Sequence, residues 1–96
     1  MTTKRNELKK MLAKKFPKMW IKDGEEFDYK DSNFKNSIWT GEGSELNDFE
    51  IFNHYANDIN ESAYTMGVLN ELHFFLKKHG WYASFYDGGT VFLYEI

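Results

Sequence analysis

Residues 81–95 read WYASFYDGGTVFLYE, and their pattern decides the fold. Trp81 to Phe85 alternates as a half-buried strand does. Asp87-Gly88-Gly89 predicts a turn in which glycine supplies positive φ without a Cβ clash. Thr90 to Glu95 is rich in β-branched and aromatic residues and predicts the returning strand. An isolated hairpin is marginal in water, so this one must belong to a small antiparallel sheet.

Upstream of the hairpin, Val68, Leu69, Leu72, Phe75 and Leu76 recur on one face of a helix predicted over residues 63–79. Gly80 suits the position just past its end, and Lys77, Lys78 and His79 suit the negative end of its dipole. Ile51, Phe52, Tyr55, Ala56 and Ile59 predict a helix over about residues 48–59, capped by Asp48. Short strands are expected between about residues 19 and 40. Met19-Trp20-Ile21-Lys22 is β-prone, Asp23-Gly24 signals a hairpin turn, Phe27 and Tyr29 alternate with charged residues, and Ser37 to Thr40 reads as a strand. At the start of the chain, Leu8, Met11, Leu12 and Phe16 form one stripe of a basic helix over residues 3–16. Thr3 caps it, and Pro17 ends it by pushing Phe16 out of the helical region. The expected architecture is a single α+β domain over residues 1–96, a small antiparallel sheet with a C-terminal hairpin packed against two or three helices.

The chain has 96 residues and a formal net charge of −3, which hides a marked asymmetry. Residues 1–22 sum to +7, residues 23–71 to −10, and residues 72–96 to zero. Either the basic helix lies against the acidic middle of the fold, or the two form separate faces for charged partners. There is no cysteine, which excludes a disulfide framework, a thiolate zinc site and a cysteine nucleophile. No apolar run approaches the ~20 residues of a membrane span, and no secretory signal is visible, so a cytoplasmic protein without membrane contact is expected.

Catalytic patterns are missing. His73 and His79 lie six residues apart, on different sides of a helix, and His54 with Asp58 makes only two potential ligands where a zinc site needs more. Gly41-Glu42-Gly43 is too short for a phosphate loop and lacks its Gly-Lys-Ser/Thr ending. No serine stands in a nucleophile-elbow context. Neither a catalytic set, a metal site nor a cofactor is expected. Aromatic residues number 18, nine Phe, six Tyr and three Trp. They must supply much of the core, since the chain has only two valines. Tyr82, Tyr86, Phe92 and Tyr94 are candidates for stacking nucleic-acid bases, although core filling is the preferred reading; an aromatic set left open on one strand face would be a binding patch.

Ile38-Trp39-Thr40-Gly41-Glu42-Gly43, Phe49-Glu50-Ile51-Phe52-Asn53-His54-Tyr55, His79-Gly80-Trp81-Tyr82 and Tyr86-Asp87-Gly88-Gly89-Thr90 together resemble small uncharacterised proteins of tailed bacteriophages. The resemblance covers residues 38–96 and carries no catalytic motif. It implies a non-catalytic protein-binding role, that of an inhibitor of a host or anti-phage defence protein. With the acidic segment, it points to a partner with a basic surface. The expected contacts are Asp23, Glu25, Glu26, Asp28, Glu42, Glu45, Asp48 and Glu50, with Trp39 as an aromatic anchor. The alternative is a small nucleic-acid-binding protein using Lys4, Arg5, Lys9, Lys10, Lys14, Lys15 and Lys18 on phosphates.

Overall fold

The computed structural model describes residues 2–46, 49–53, 63–65 and 67–96. Helix α1 spans Arg5–Lys15 and α2 spans Asn70–Lys78. The strands are β1 (Lys22–Asp23), β2 (Ile38–Gly41), β3 (Glu45–Leu46), β4 (Phe49–Glu50), β5 (Tyr64–Thr65), β6 (Val68–Leu69), β7 (Trp81–Asp87) and β8 (Thr90–Glu95). The main sheet is antiparallel with the order β1-β2-β8-β7. The α+β class and the C-terminal hairpin are therefore as the sequence suggests.

The hairpin turn is made differently from expectation. Gly88 and Gly89 are not among the positive-φ residues. The Asp87 carboxylate instead accepts the Gly89 N–H at 2.9 Å, and the strand register shifts between Phe85 and Asp87. Gly80 does take the left-handed conformation past α2, at φ 79°. Glycine is also needed at position 24, because a Cβ there would overlap the Ser37 hydroxyl.

Four further expectations are corrected. Lys4, not Thr3, precedes the first turn of α1, and the Thr3 hydroxyl lies 2.8 Å from His79 Nδ1. Residues 49–53 do not begin a helix. Phe49–Glu50 pairs with Glu45–Leu46 as a ladder, and Phe52 bridges to Val68. The remainder of the helix predicted over residues 48–59 lies outside the described residues. The helix predicted over residues 63–79 starts only at Asn70, because Tyr64–Thr65 and Val68–Leu69 pair with each other first. Of the strands expected over residues 19–40, only β1 and β2 form. Between them run two short 3-10 turns, Gly24–Glu26 and Ser32–Phe34.

The core lies on one face of the sheet. Leu8, Leu12 and Phe16 of the α1 segment and Leu72 and Leu76 of α2 pack with Ile38, Trp81, Val91 and Leu93 from the sheet. Ile51, Phe52, Val68 and Leu69 extend this cluster into the small ladders. Two polar groups at this core are satisfied by backbone, whereas the buried Ser44 hydroxyl has no hydrogen-bond partner among the described residues. Thr40 Oγ1 donates to the Trp20 carbonyl at 2.6 Å, and Trp81 Nε1 donates to the Thr3 carbonyl at 2.7 Å.

Candidate functional site

Alternation along the strands sends Trp39, Phe92, Tyr82, Ser84, Tyr86 and Tyr94 to the face opposite the core. The register aligns Trp39 with Phe92 and Phe92 with Ser84, and Tyr82 with Tyr94. The two 3-10 turns lie over part of this face. The Phe27 ring meets Phe34, Trp39, Tyr86 and Phe92 at the same 5.2 Å centroid separation, all edge-to-face. Phe34 stacks on Phe92 at 4.4 Å. Such offset and T-shaped pairs suit the ring quadrupoles and add to simple burial.

Phe92, one of the four residues expected in an open patch, is thereby covered and only 1% exposed. The tyrosines at the margin stay open. Tyr82 is 47% exposed, Tyr86 58%, and Tyr29, on the chain between the two turns, 79%. Tyr94 is half-buried, and its phenol is pushed above the usual tyrosine range by burial first, then by Tyr82 and the Asp31 carboxylate. Lys22 holds the other end of the face, with Nζ 5.2 Å from the Trp39 ring.

The expected acidic contacts divide into two groups. Asp23 and Glu25 face α1. Lys9 Nζ lies 2.6 Å from the Asp23 carboxylate, and Arg5 lies 2.6 Å from Glu25 and 3.8 Å from Asp23. A hydrogen bond from its own backbone is the largest cause holding the Glu25 carboxyl below its ordinary value, with Arg5 and the Asn36 N–H adding to it against a desolvation cost. Glu26 accepts the Asp23 N–H at 2.9 Å, and Asp28 accepts the Lys30 N–H at 3.1 Å, so both shape local turns. Trp39 is half-buried in the aromatic layer. Glu42, Glu45 and Glu50 are exposed, as are Glu26 and Asp28. Glu45 and Glu50 stand directly opposite each other in the β3–β4 ladder, where like charges repel. Asp48, and the pair His54 and Asp58, lie outside the described residues.

The basic set divides in the same way. Arg5 and Lys9 are engaged by acids. Lys4, Lys10, Lys14 and Lys18 are exposed without an acid partner among the described residues, and Lys15 Nζ lies 5.0 Å from the Phe75 ring. Among the described residues, the positive and negative segments therefore pair where α1 meets the Asp23–Glu25 turn. Among the described residues, no group of three or more acids and histidines could hold a metal ion, and no helix is long and apolar enough to cross a membrane.

Sequence reasoning missed Phe27 and Phe34 as the cover of the outer face. The Asp31-Ser32-Asn33 run contained a usable sign, since Asp31 caps the second turn by accepting the Asn33 N–H at 2.9 Å. The fold and this face define a small α+β domain with an aromatic-lined antiparallel sheet. No family model, curated protein or solved structure matches the chain.

Proposed function

We propose that the chain is a non-catalytic protein-binding module whose contact surface is the tyrosine margin of the outer sheet face, rimmed by acids. The observation that carries this reading is the exposure of Tyr29, Tyr82 and Tyr86 around a close-packed aromatic layer. Tyrosine offers a large, stiff contact area with a polar tip, the profile of interface anchors. Asp31 beside Tyr94, with exposed Asp28 nearby in the sequence, favours a basic partner and disfavours a polyanion on this face. Glu42, Glu45 and Glu50 remain available to steer such a partner. The resemblance to tailed-phage proteins adds that the partner is a host or defence protein, bound for inhibition.

The test is capture of partners from a bacterial lysate by the wild type, the Tyr29→Ser/Tyr86→Ser variant and a Glu42→Gln/Glu45→Gln/Glu50→Gln variant. The expected outcome is a defined partner lost with the tyrosines and retained, at a slower association rate, without the glutamates. Equal capture by all three removes this surface as the binding site.

Lys4, Lys10, Lys14 and Lys18, exposed and without an acid partner among the described residues, favour a second reading, phosphate contact by α1 and its flanks. It requires a steeply salt-dependent shift of nucleic acid at low salt. Absence of a shift at micromolar protein rules it out.

A further inference from the structure

Among the described residues, β7 is the longest strand, and it lies at an edge of the main sheet. Among the described residues, no strand pairs with its outer side. The other edge, β1, is only two residues long and carries Lys22 and Asp23, the usual means of blunting an edge. Between residues 81 and 86, β7 has neither a charge nor a proline.

The hydrogen-bond alternation fixes which backbone groups face out. Ile96 N–H donates to the Gly80 carbonyl at 2.9 Å, so Gly80 and Ile96 form a bonded pair. Tyr82 and Ser84, opposite Tyr94 and Phe92, then turn their N–H and C=O groups toward β8. Trp81 and Ala83 turn theirs outward. At the near end the His79 carbonyl is already taken by the Thr3 N–H at 2.9 Å, which limits how far a new ladder can extend.

The charges at the two ends of β7 are opposite. Exposed Lys77 and Lys78 close α2 just before it. Asp87 ends it, and Glu42 lies against the following turn, where a Cβ on Gly89 would come 2.9 Å from the Glu42 carboxylate. An antiparallel neighbour with the same sequence places its acidic end toward the basic end of the first strand, twice over.

We infer that β7 is a self-association strand: a second copy of this chain adds its own β7 antiparallel across a two-fold axis at Tyr82. Trp81 of each copy bonds Ala83 of the other, giving four backbone hydrogen bonds and one eight-stranded sheet. Tyr82 faces its own equivalent at a non-bonded position, where side chains stand closest. The nearest interior acid, Glu95 on β8, is then separated from its equivalent by three strand spacings, ~14 Å, beyond the screening length of ~8 Å. Tyr82 belongs to both surfaces, but the two readings are told apart by their measurements, since self-association is read on the isolated chain and partner capture is tested at Tyr29 and Tyr86.

The chain has no cysteine, so engineered thiols read the register directly. Tyr82→Cys places two thiols opposite each other at about 4.5 Å between Cα atoms, within disulfide range, whereas Ser84→Cys faces Gly80 of the other copy. The expected result is rapid cross-linking of Tyr82→Cys under mild oxidant and at least tenfold slower cross-linking of Ser84→Cys. Sedimentation of the unmodified chain should show a mass rising from one copy toward two with concentration. The rise should weaken between about 0.05 M and about 0.5 M salt and disappear in Tyr82→Lys, which sets like charges across the axis. A single-copy mass at all concentrations, equal cross-linking of the two thiol variants, or a dimer unaffected by Tyr82→Lys but lost in Phe74→Ser on α2, overturns the inference.

Discussion

The two faces of the main sheet are built from different chemistry. The inner face is closed by two helices through Leu8, Leu12, Leu72 and Leu76, and its own residues Ile38, Val91 and Leu93 are fully buried. The outer face is closed by two single turns through Phe27 and Phe34, and it leaves Tyr82 and Tyr86 about half open. Aliphatic side chains gain only by leaving water, so a partly closed aliphatic face is a defect. Tyrosines keep a polar tip in water while their rings pack, so a partly closed aromatic face is stable. The inner face therefore serves the fold, and the outer face has surface to spare for recognition.

The comparison can be broken most severely from the inside. Leu93→Ala removes a fully buried side chain at the centre of the sheet and should cost about 2–5 kcal/mol by denaturant unfolding, enough to unfold a marginal domain. Phe34→Ala on the outer face should cost about 3 kcal/mol, the low end for a buried phenylalanine, because water can enter the space it leaves. It should also uncover Phe92 and shift the emission of Trp39 to the red. Equal costs for the two substitutions, without a Trp39 shift, would mean that the faces do not differ in closure. Tyr86→Ser should change stability by no more than about 0.5 kcal/mol while weakening partner capture, which separates recognition from folding on one face.

The smallest expected effect concerns pH. The Glu25 carboxyl is held below its ordinary value in the folded chain. Its contribution to stability is therefore present above the ordinary carboxylate range and lost as pH falls through the lowered value. Asp87, held low by the Gly89 N–H and then by Thr90, adds a loss of the same sign. Glu25→Gln should flatten the acid side of the stability curve. A steeper acid limb in that variant would contradict the assignment.

The hairpin and α1 were legible because each follows one period for long enough, two residues for β7 and β8 and about 3.6 for α1. Phe49 to Phe52 was misread because a short apolar run satisfies either period, and pairing with Glu45–Leu46 and with Val68 decides it as strand. Val68 and Leu69 were absorbed into α2 for a similar reason, since they continue its apolar spacing. The cover of the outer face was illegible because Phe27 and Tyr29 imitate a strand, whereas the 3-10 turn beside them has no sequence period of its own. The joint fate of the charges was not legible at all, because it depends on the turn at Gly24 bringing Asp23 and Glu25 under α1.

The position of β8 has a consequence for how the chain acquires its shape during synthesis. Although β8 follows the other described strands in sequence, it lies inside the sheet and is the strand that both β2 and β7 require. Ile38 and Trp39 must wait for Leu93 and Phe92, more than fifty residues further along. Until residues 90–95 have emerged, α1, α2 and the aromatic turns have no complete surface to settle on. The topology therefore predicts concerted assembly once residues 90–95 are present, with slow loop closure, rather than progressive folding from the first helix onward.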